Sequence, residues 1–219
     1  MSGASAFAGF FCFLVALLSS HLLAAPPALF DPQSSKYLGR WLYLTYQSNM
    51  IGLCYFGASL VDSLIGGALS PWLIQCFPLM FAVGTFLTFA YYTLDHFNAE
   101  NFLRKERCRS RYPYVHWCSH IEHGHALPAV VFHAAAIELP PGVEIPMAST
   151  VLGTVGVYLV FYILFVHVNC AFTGMWPYAI IDDMTRRGGA ALRTIFFAAL
   201  IGIFLMLGMA GVAILEMRL

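Results

Sequence analysis

The chain has 219 residues, of which 60% are hydrophobic and only 10% are charged. Lys plus Arg and Asp plus Glu number 11 each, so the formal net charge is zero. Soluble globular proteins carry roughly 25% charged residues, so this composition excludes a soluble enzyme. It also excludes intrinsic disorder, which needs low hydrophobicity and high net charge. A neutral chain without a basic stripe is not expected to bind nucleic acid.

Apolar runs of membrane-spanning length predict the fold class. A helix needs about 20 apolar residues to cross the hydrocarbon core of a bilayer, and its closed hydrogen bonding lets it remain in lipid. We expect an all-α membrane protein, a single six-transmembrane-helix bundle formed by residues 1–219. The six predicted spans are residues 6–25, 41–69, 72–94, 117–139, 147–172 and 190–215.

The distribution of basic residues predicts the orientation in the membrane. Lys and Arg in short loops are retained on the cytosolic side. Of the 11 basic residues, only Arg218 lies on the side of the even-numbered loops. We therefore expect the odd-numbered loops to face the cytosol. We expect the protein to reside in the membrane of the endoplasmic reticulum or in the plasma membrane.

A group of histidines at the start of the fourth span is the densest set of ionisable residues in a predicted span. Such residues are costly in lipid and are therefore candidate functional residues. The group contains His116, His120, His123 and His125. The first three share one face of a helix because they are spaced four and three residues apart, whereas His125 points elsewhere.

Several interpretations of this group remain open at this point. The imidazoles could simply bind headgroups and water near the interface. A zinc site would need three histidine or carboxylate ligands, but the HExxH pattern is absent and one helix rarely supplies every ligand. A bis-histidine haem site would need partners on facing helices, such as His96 and His167. A general base would need a hydroxyl nucleophile nearby.

The candidate hydroxyl is Thr45, one turn inside the second span and four residues after the interfacial Trp41. At 1.5 Å per residue, Thr45 lies ~6 Å beyond Trp41 and His123 lies ~9 Å beyond Trp117. Both helices enter the membrane from the side of the odd-numbered loops. The Thr45 and His123 side chains are therefore expected to meet just below the headgroups.

Further polar and aromatic residues are predicted in the same layer of the bundle. They could bind substrate, stabilise an oxyanion or orient His123, and sequence does not choose among them. These supporting candidates are Trp41, Tyr43, Gln47, Asn49, His120, Asn169 and Trp176. The segment that follows Asn169 also has the composition of an ordinary helix exit, with a glycine, aromatic residues and a proline.

Short motifs follow one another along the chain after the first span. They are Gly39-Arg40-Trp41 with Leu44-Thr45, Phe56-Gly57, Phe77-Pro78, Asp95, His120-Ile121-Glu122-His123 with Leu127-Pro128, Thr173-Gly174-Met175-Trp176 with Tyr178, Ile195-Phe196-Phe197 and Leu207-Gly208. In order and spacing they resemble the androgen-induced-protein family of integral membrane threonine hydrolases. The chain departs from the family pattern at Gly124 and His125.

The resemblance implies a six-helix lipid esterase that hydrolyses fatty acid esters of hydroxy fatty acids. It places Thr45 at the position of the nucleophile and His123 at that of the second essential residue. The expected partner is a lipid ester substrate, without a cofactor, a metal ion or an obligatory protein partner. The alternatives are a six-helix haem-binding electron-transfer protein and a non-enzymatic membrane adaptor.

Overall fold

A computed structural model describes residues 3–30, 32–33 and 35–218 of the chain. Helices make up 79% of it, and no strand occurs in these ranges. The helices are α1 (Gly3–Leu22), α2 (Pro27–Phe30), α3 (Leu44–Leu64), α4 (Ser70–Ala90), α5 (Ala99–Cys108), α6 (Val115–Gly124), α7 (Ala126–Ala136), α8 (Ala148–Val151), α9 (Val157–Thr173) and α10 (Ala179–Glu216). A 3₁₀ turn covers Gly39–Leu42, and π turns cover Tyr91–Asp95 and Leu152–Gly156.

Four helical segments of the described chain are long and apolar enough to cross a membrane. They are Gly3–Leu22, Ser70–Asp95, Ala148–Thr173 and Ile180–Glu216. They correspond to the first, third, fifth and sixth predicted spans, and they fit a membrane protein. Large apolar side chains such as Trp72, Val157 and Phe172 are exposed on the helices, as expected for surfaces that contact lipid.

The other two predicted spans differ from the expectation, so the count of six remains a prediction. The second, residues 41–69, begins as the 3₁₀ turn, and α3 itself carries buried polar residues that lower its hydropathy. The fourth, residues 117–139, is divided at His125 into α6 and α7. Pro128 causes this break, because it has no N–H to donate to the carbonyl of Gly124.

Helix α4 lies at the centre of the bundle, where it packs against α3, α7 and α10. Small residues let α10 approach it closely. A Cβ atom added at Gly211 would lie 3.1 Å from the Cβ of Phe81 on α4, and one added at Gly208 would lie 2.8 Å from Val151 on the neighbouring α8. This packing holds α10 against the middle of α4.

Helices α1 and α3 interlock through two reciprocal ring-on-glycine contacts. Phe13 of α1 lies over Gly52 of α3, and Phe56 of α3 lies over Gly9 of α1. Both rings are fully buried and stack with centroids 5.5 Å apart. Small residues are the usual means by which membrane helices approach closely. The contact therefore sets the position of α3, the helix that carries Thr45.

The Gly52 contact predicts a cost for a single added methyl group. Gly52→Ala would drive a Cβ atom into the Phe13 ring, and overpacking of this kind costs about 1–3 kcal/mol. Thermal unfolding of the purified protein in detergent should show a lower midpoint. Gly202→Ala is the matched control, because no described residue beyond the adjoining backbone of its own helix lies within 4 Å of a Cβ atom at Gly202. Equal midpoints for the two variants would contradict the interlocking contact.

Candidate active site

Thr45 and His123 are hydrogen-bonded to each other. Thr45 lies in the first turn of α3, and His123 lies one residue before the end of α6. The distance from Thr45 Oγ1 to His123 Nε2 is 3.0 Å. Both side chains are only partly buried. The structure therefore brings together the hydroxyl and the imidazole that the sequence placed at one depth.

A second hydrogen bond defines the tautomer of His123. Its Nδ1 atom lies 2.6 Å from the backbone carbonyl oxygen of Ser119. A carbonyl can only accept, so Nδ1 must carry the proton. In a neutral imidazole the other nitrogen then has a free lone pair. His123 Nε2 is therefore an acceptor for the Thr45 hydroxyl, as a general base requires.

Thr88 of α4 bridges the break between α6 and α7. Its hydroxyl donates to the carbonyl oxygen of His123 at 2.6 Å and accepts from the backbone N–H of Leu127 at 3.2 Å. In an unbroken helix, Leu127 would donate to His123 directly. The threonine hydroxyl replaces that bond and fixes the backbone of His123 to the central helix.

The amides of Asn49 and Gln47 donate to backbone carbonyls. Asn49, one turn after Thr45, donates from Nδ2 to the carbonyl oxygen of Glu122 at 3.0 Å, which ties α3 to α6. Gln47 donates from Nε2 to the carbonyl oxygen of Trp41 at 2.7 Å. Its Oε1 accepts from the hydroxyl of Tyr158 at 3.3 Å. Both residues lie in the predicted layer, where these contacts hold helices and turns together.

The segment that follows Asn169 forms a hydrogen bond with the start of α3. Gly174 ends α9 in the left-handed conformation, with φ of 73°, and the chain then reaches Tyr178. The hydroxyl of Tyr178 accepts from the backbone N–H of Leu44 at 2.9 Å and from the hydroxyl of Tyr162 at 3.2 Å. This motif therefore caps the helix that begins next to Thr45.

The remaining supporting candidates, three aromatic residues and one asparagine, occupy separate places. Trp41 is half exposed and makes an edge contact with Tyr46. Tyr43 makes an edge contact with Tyr178. Trp176 packs against His167, with centroids 4.8 Å apart, and lies 4.9 Å from the guanidinium of Arg193. Asn169 is buried on α9.

The other histidines of the fourth predicted span bind different partners. His120 Nδ1 lies 3.1 Å from the hydroxyl of Tyr92. His116 Nε2 lies 2.7 Å from a carboxylate oxygen of Glu106, and this hydrogen bond lowers the pKa of the Glu106 carboxyl below its ordinary value. His125 is turned toward α1, where its ring makes an edge contact with Phe13.

The positions of the candidate ligands can be compared with what a zinc or haem site would need. The described residues contain no group of three or more histidine, cysteine, aspartate or glutamate side chains placed to hold a metal ion. The rings of His96 and His120 are in direct contact, with centroids 4.8 Å apart. His167 lies against Trp176. These three histidines therefore do not face one another across a space for a haem.

Three residues that contact His123 are not indicated by any motif of the sequence. Ser119 and Thr88 hold it by hydrogen bonds. Tyr91 stacks on its ring, with centroids 4.2 Å apart and an interplanar angle of 14°. The spacing of Ser119, four residues before His123, was the one available signal, because a helical histidine reaches the carbonyl four residues before it. His125 makes the same bond to the carbonyl of Ile121.

The Thr88 bridge predicts a difference between two threonines one turn apart. Thr88→Val removes the donor to His123 and the acceptor for Leu127, and leaving buried partners unsatisfied costs about 1–3 kcal/mol each. Thr85→Val is the matched control, because the buried Thr85 hydroxyl has no hydrogen-bond partner among the described residues. Thermal unfolding should show destabilisation by Thr88→Val only. A larger effect of Thr85→Val would contradict the bridge.

Comparisons with known proteins address the identity of the chain. No curated protein and no solved structure gives a significant match. A family model described as FAR-17a/AIG1-like protein matches residues 9–215, which includes Thr45, His123 and the segment from Thr173 to Tyr178. This match covers nearly the whole chain and agrees with the resemblance found in the sequence motifs. The chain belongs to the FAR-17a/AIG1-like family.

Proposed function

We propose that this protein is an integral membrane lipid esterase that hydrolyses fatty acid esters of hydroxy fatty acids. Thr45 is the nucleophile and His123 is the general base. The observation that carries the proposal is the 3.0 Å hydrogen bond between Thr45 Oγ1 and His123 Nε2. The Ser119 carbonyl supports it by holding the proton on Nδ1. Membership of the family and the apolar helices are consistent with this activity.

The reaction proceeds in two steps with one base. His123 Nε2 takes the proton of Thr45 as Oγ1 attacks the ester carbonyl, and the imidazolium returns that proton to the leaving hydroxyl of the hydroxy fatty acid. Thr45 then carries the fatty acyl group as an ester. Water, deprotonated by the same Nε2, attacks this acyl ester. The imidazolium then returns the proton to Thr45 Oγ1 as the fatty acid leaves, which restores both residues.

The start of α3 stabilises the negative charge that develops on the carbonyl oxygen of the ester during attack. The backbone dipoles of a helix place partial positive charge at its first turn, and Thr45 lies in that turn. Stabilisation of the oxyanion is usually the largest contribution to acyl transfer. The N–H groups of Leu44, Tyr46 and Gln47 already donate to other acceptors, so we assign to this turn only the electrostatic contribution of the helix dipole.

An apolar groove lies beside the start of α3, but its α3 residues are on the face of the helix away from Thr45, and neither Thr45 nor His123 lines it. Its volume is about 520 Å³, and it is open at the surface of the bundle. Its lining residues are Tyr37, Leu38, Trp41, Gln47, Met50, Ile51, Tyr158, Phe161 and Phe165. If the basic loops face the cytosol, as the charge distribution predicts, substrate enters from the cytosolic leaflet.

Substitution of the two reacting residues should abolish hydrolysis. Thr45→Ala and His123→Ala remove the nucleophile and the base, and each is expected to lower kcat by at least about 1,000-fold. Thr45→Ser keeps the hydroxyl and should retain part of the activity. Turnover of a panel of lipid esters by purified protein is the measurement.

Thr194→Ala is the control for these substitutions, because the Thr194 hydroxyl is exposed and bonds only to the carbonyl of Ala190 in its own helix among the described residues. It should leave turnover unchanged. Substantial turnover by Thr45→Ala, with unchanged folding, would show that the nucleophile lies elsewhere.

The pH dependence follows from the state of His123 Nε2. Protonation fills the lone pair that accepts the Thr45 proton, so kcat/KM should fall as the pH is lowered and should reach a plateau at higher pH. Addition of a chelator should leave the plateau unchanged. Intrinsic fluorescence at each pH would control for unfolding. Loss of activity on chelation, or higher activity when His123 is protonated, would contradict a metal-free histidine base.

A further inference from the structure

The imidazole of His123 is held on its edges and on its face. Thr45 and the Ser119 carbonyl form hydrogen bonds with the two ring nitrogens. Tyr91 covers the ring face, nearly parallel to it, at a centroid distance of 4.2 Å. Tyr91 is itself almost completely buried, with 3% of its surface exposed. Rotation of the imidazole away from Thr45 therefore requires Tyr91 to move.

Tyr91 is in turn held by a residue of the loop between the third and fourth predicted spans. The ammonium of Lys105, on α5, lies 5.1 Å from the centroid of the Tyr91 ring, within the range of a cation–π contact. Lys105 also pairs with Asp95 at 2.6 Å. The other carboxylate oxygen of Asp95 accepts from the amide of Asn101 at 2.7 Å. Helix α5 is thus joined to the candidate site through Lys105.

The backbone at this point has an unusual conformation. Tyr91 and Asp95 are the first and last residues of the π turn that ends α4, and the N–H of His96 donates to the carbonyl of Tyr91 at 2.8 Å. π turns are rare and occur frequently at functional sites. The wider turn places the Tyr91 ring on His123 while Asp95 reaches Lys105.

We propose that Tyr91 is a positioning residue for His123, and that the Lys105–Asp95 ion pair holds Tyr91 in place. The inference rests on the proposed role of His123 as general base. Tyr91 acts through its ring face, which keeps Nε2 directed at Thr45, and it takes no proton. The loop helix α5 is therefore part of the catalytic architecture, although it carries no reacting group.

The kinetic experiment compares disruptive and conservative variants. Tyr91→Leu and Lys105→Met should lower kcat by up to about 100-fold, because small displacements of a catalytic group have effects of that size. KM should change little, since neither residue is proposed to bind substrate. Tyr91→Phe keeps the stacked ring and Lys105→Arg keeps the cation, so both should retain most of kcat.

Two control variants match these changes elsewhere on the protein. Phe7→Leu removes one ring of the exposed stacked pair Phe7 and Phe11 on α1. Arg186→Met removes one partner of the exposed ion pair with Asp183. Both should leave kcat unchanged. The proposal is overturned if Tyr91→Leu behaves like the Phe7 control, or if Tyr91→Phe loses as much activity as Tyr91→Leu.

A spectroscopic measurement tests the positioning independently of turnover. In NMR spectra of histidine-labelled protein, the stacked Tyr91 ring should shift the ring protons of His123 upfield, and His123→Gln identifies these signals. The shift should disappear in Tyr91→Leu and persist in Tyr91→Phe. Unchanged His123 signals in Tyr91→Leu would overturn the proposal even if Thr45→Ala is inactive. Conversely, absence of esterase activity in the wild type would refute the proposed function, while the NMR result would still decide the positioning.

Discussion

The hydrogen bond between Thr45 and His123 depends on one constraint: polar groups inside an apolar helix bundle need protein partners. Water is scarce there, and an unpaired polar group is costly. The two nitrogens of His123 bind Thr45 and the Ser119 carbonyl, and Thr88 and Asn49 bind the backbone of α6. These bonds form one layer that joins α3, α4 and α6. A change in one member therefore alters the position of the others.

The sequence predicted the helical class and placed Thr45 and His123 at similar depth along their helices, because depth in a helix follows directly from residue count. It could not predict rotation about the helix axes or partners that are distant in sequence. Pro128 marks the break after α6, but nothing local indicates that Thr88, 39 residues before Leu127 in the chain, completes the broken hydrogen-bond pattern. The stacking of Tyr91 on His123 is likewise a contact between residues distant in sequence that no local pattern predicts.

The supporting candidates show why composition in a layer does not assign chemistry. Gln47 and Asn49 lie near Thr45, and their amides hold a turn and a neighbouring helix. Of the polar residues that lower the hydropathy of α3, Asn49 bonds to α6 and Asp62 bonds to the start of α4, whereas Ser59 bonds within its own helix. The segment is not among the helices long and apolar enough to cross a membrane, although it packs within the bundle. Trp176 belongs to a motif whose visible effect is to bring Tyr178 to the start of α3.

The central claim is that Thr45 Oγ1 becomes covalently acylated. The most direct measurement is peptide mass spectrometry of the purified protein after rapid quenching with a lipid ester, or after labelling with a fluorophosphonate probe. The account predicts an adduct on the peptide that contains Thr45, localised to Thr45 by fragmentation and absent from His123→Ala, in which the base is missing. An adduct on a different residue, such as the neighbouring Ser48, would contradict it. Continued hydrolysis without any adduct on Thr45 would contradict it as well.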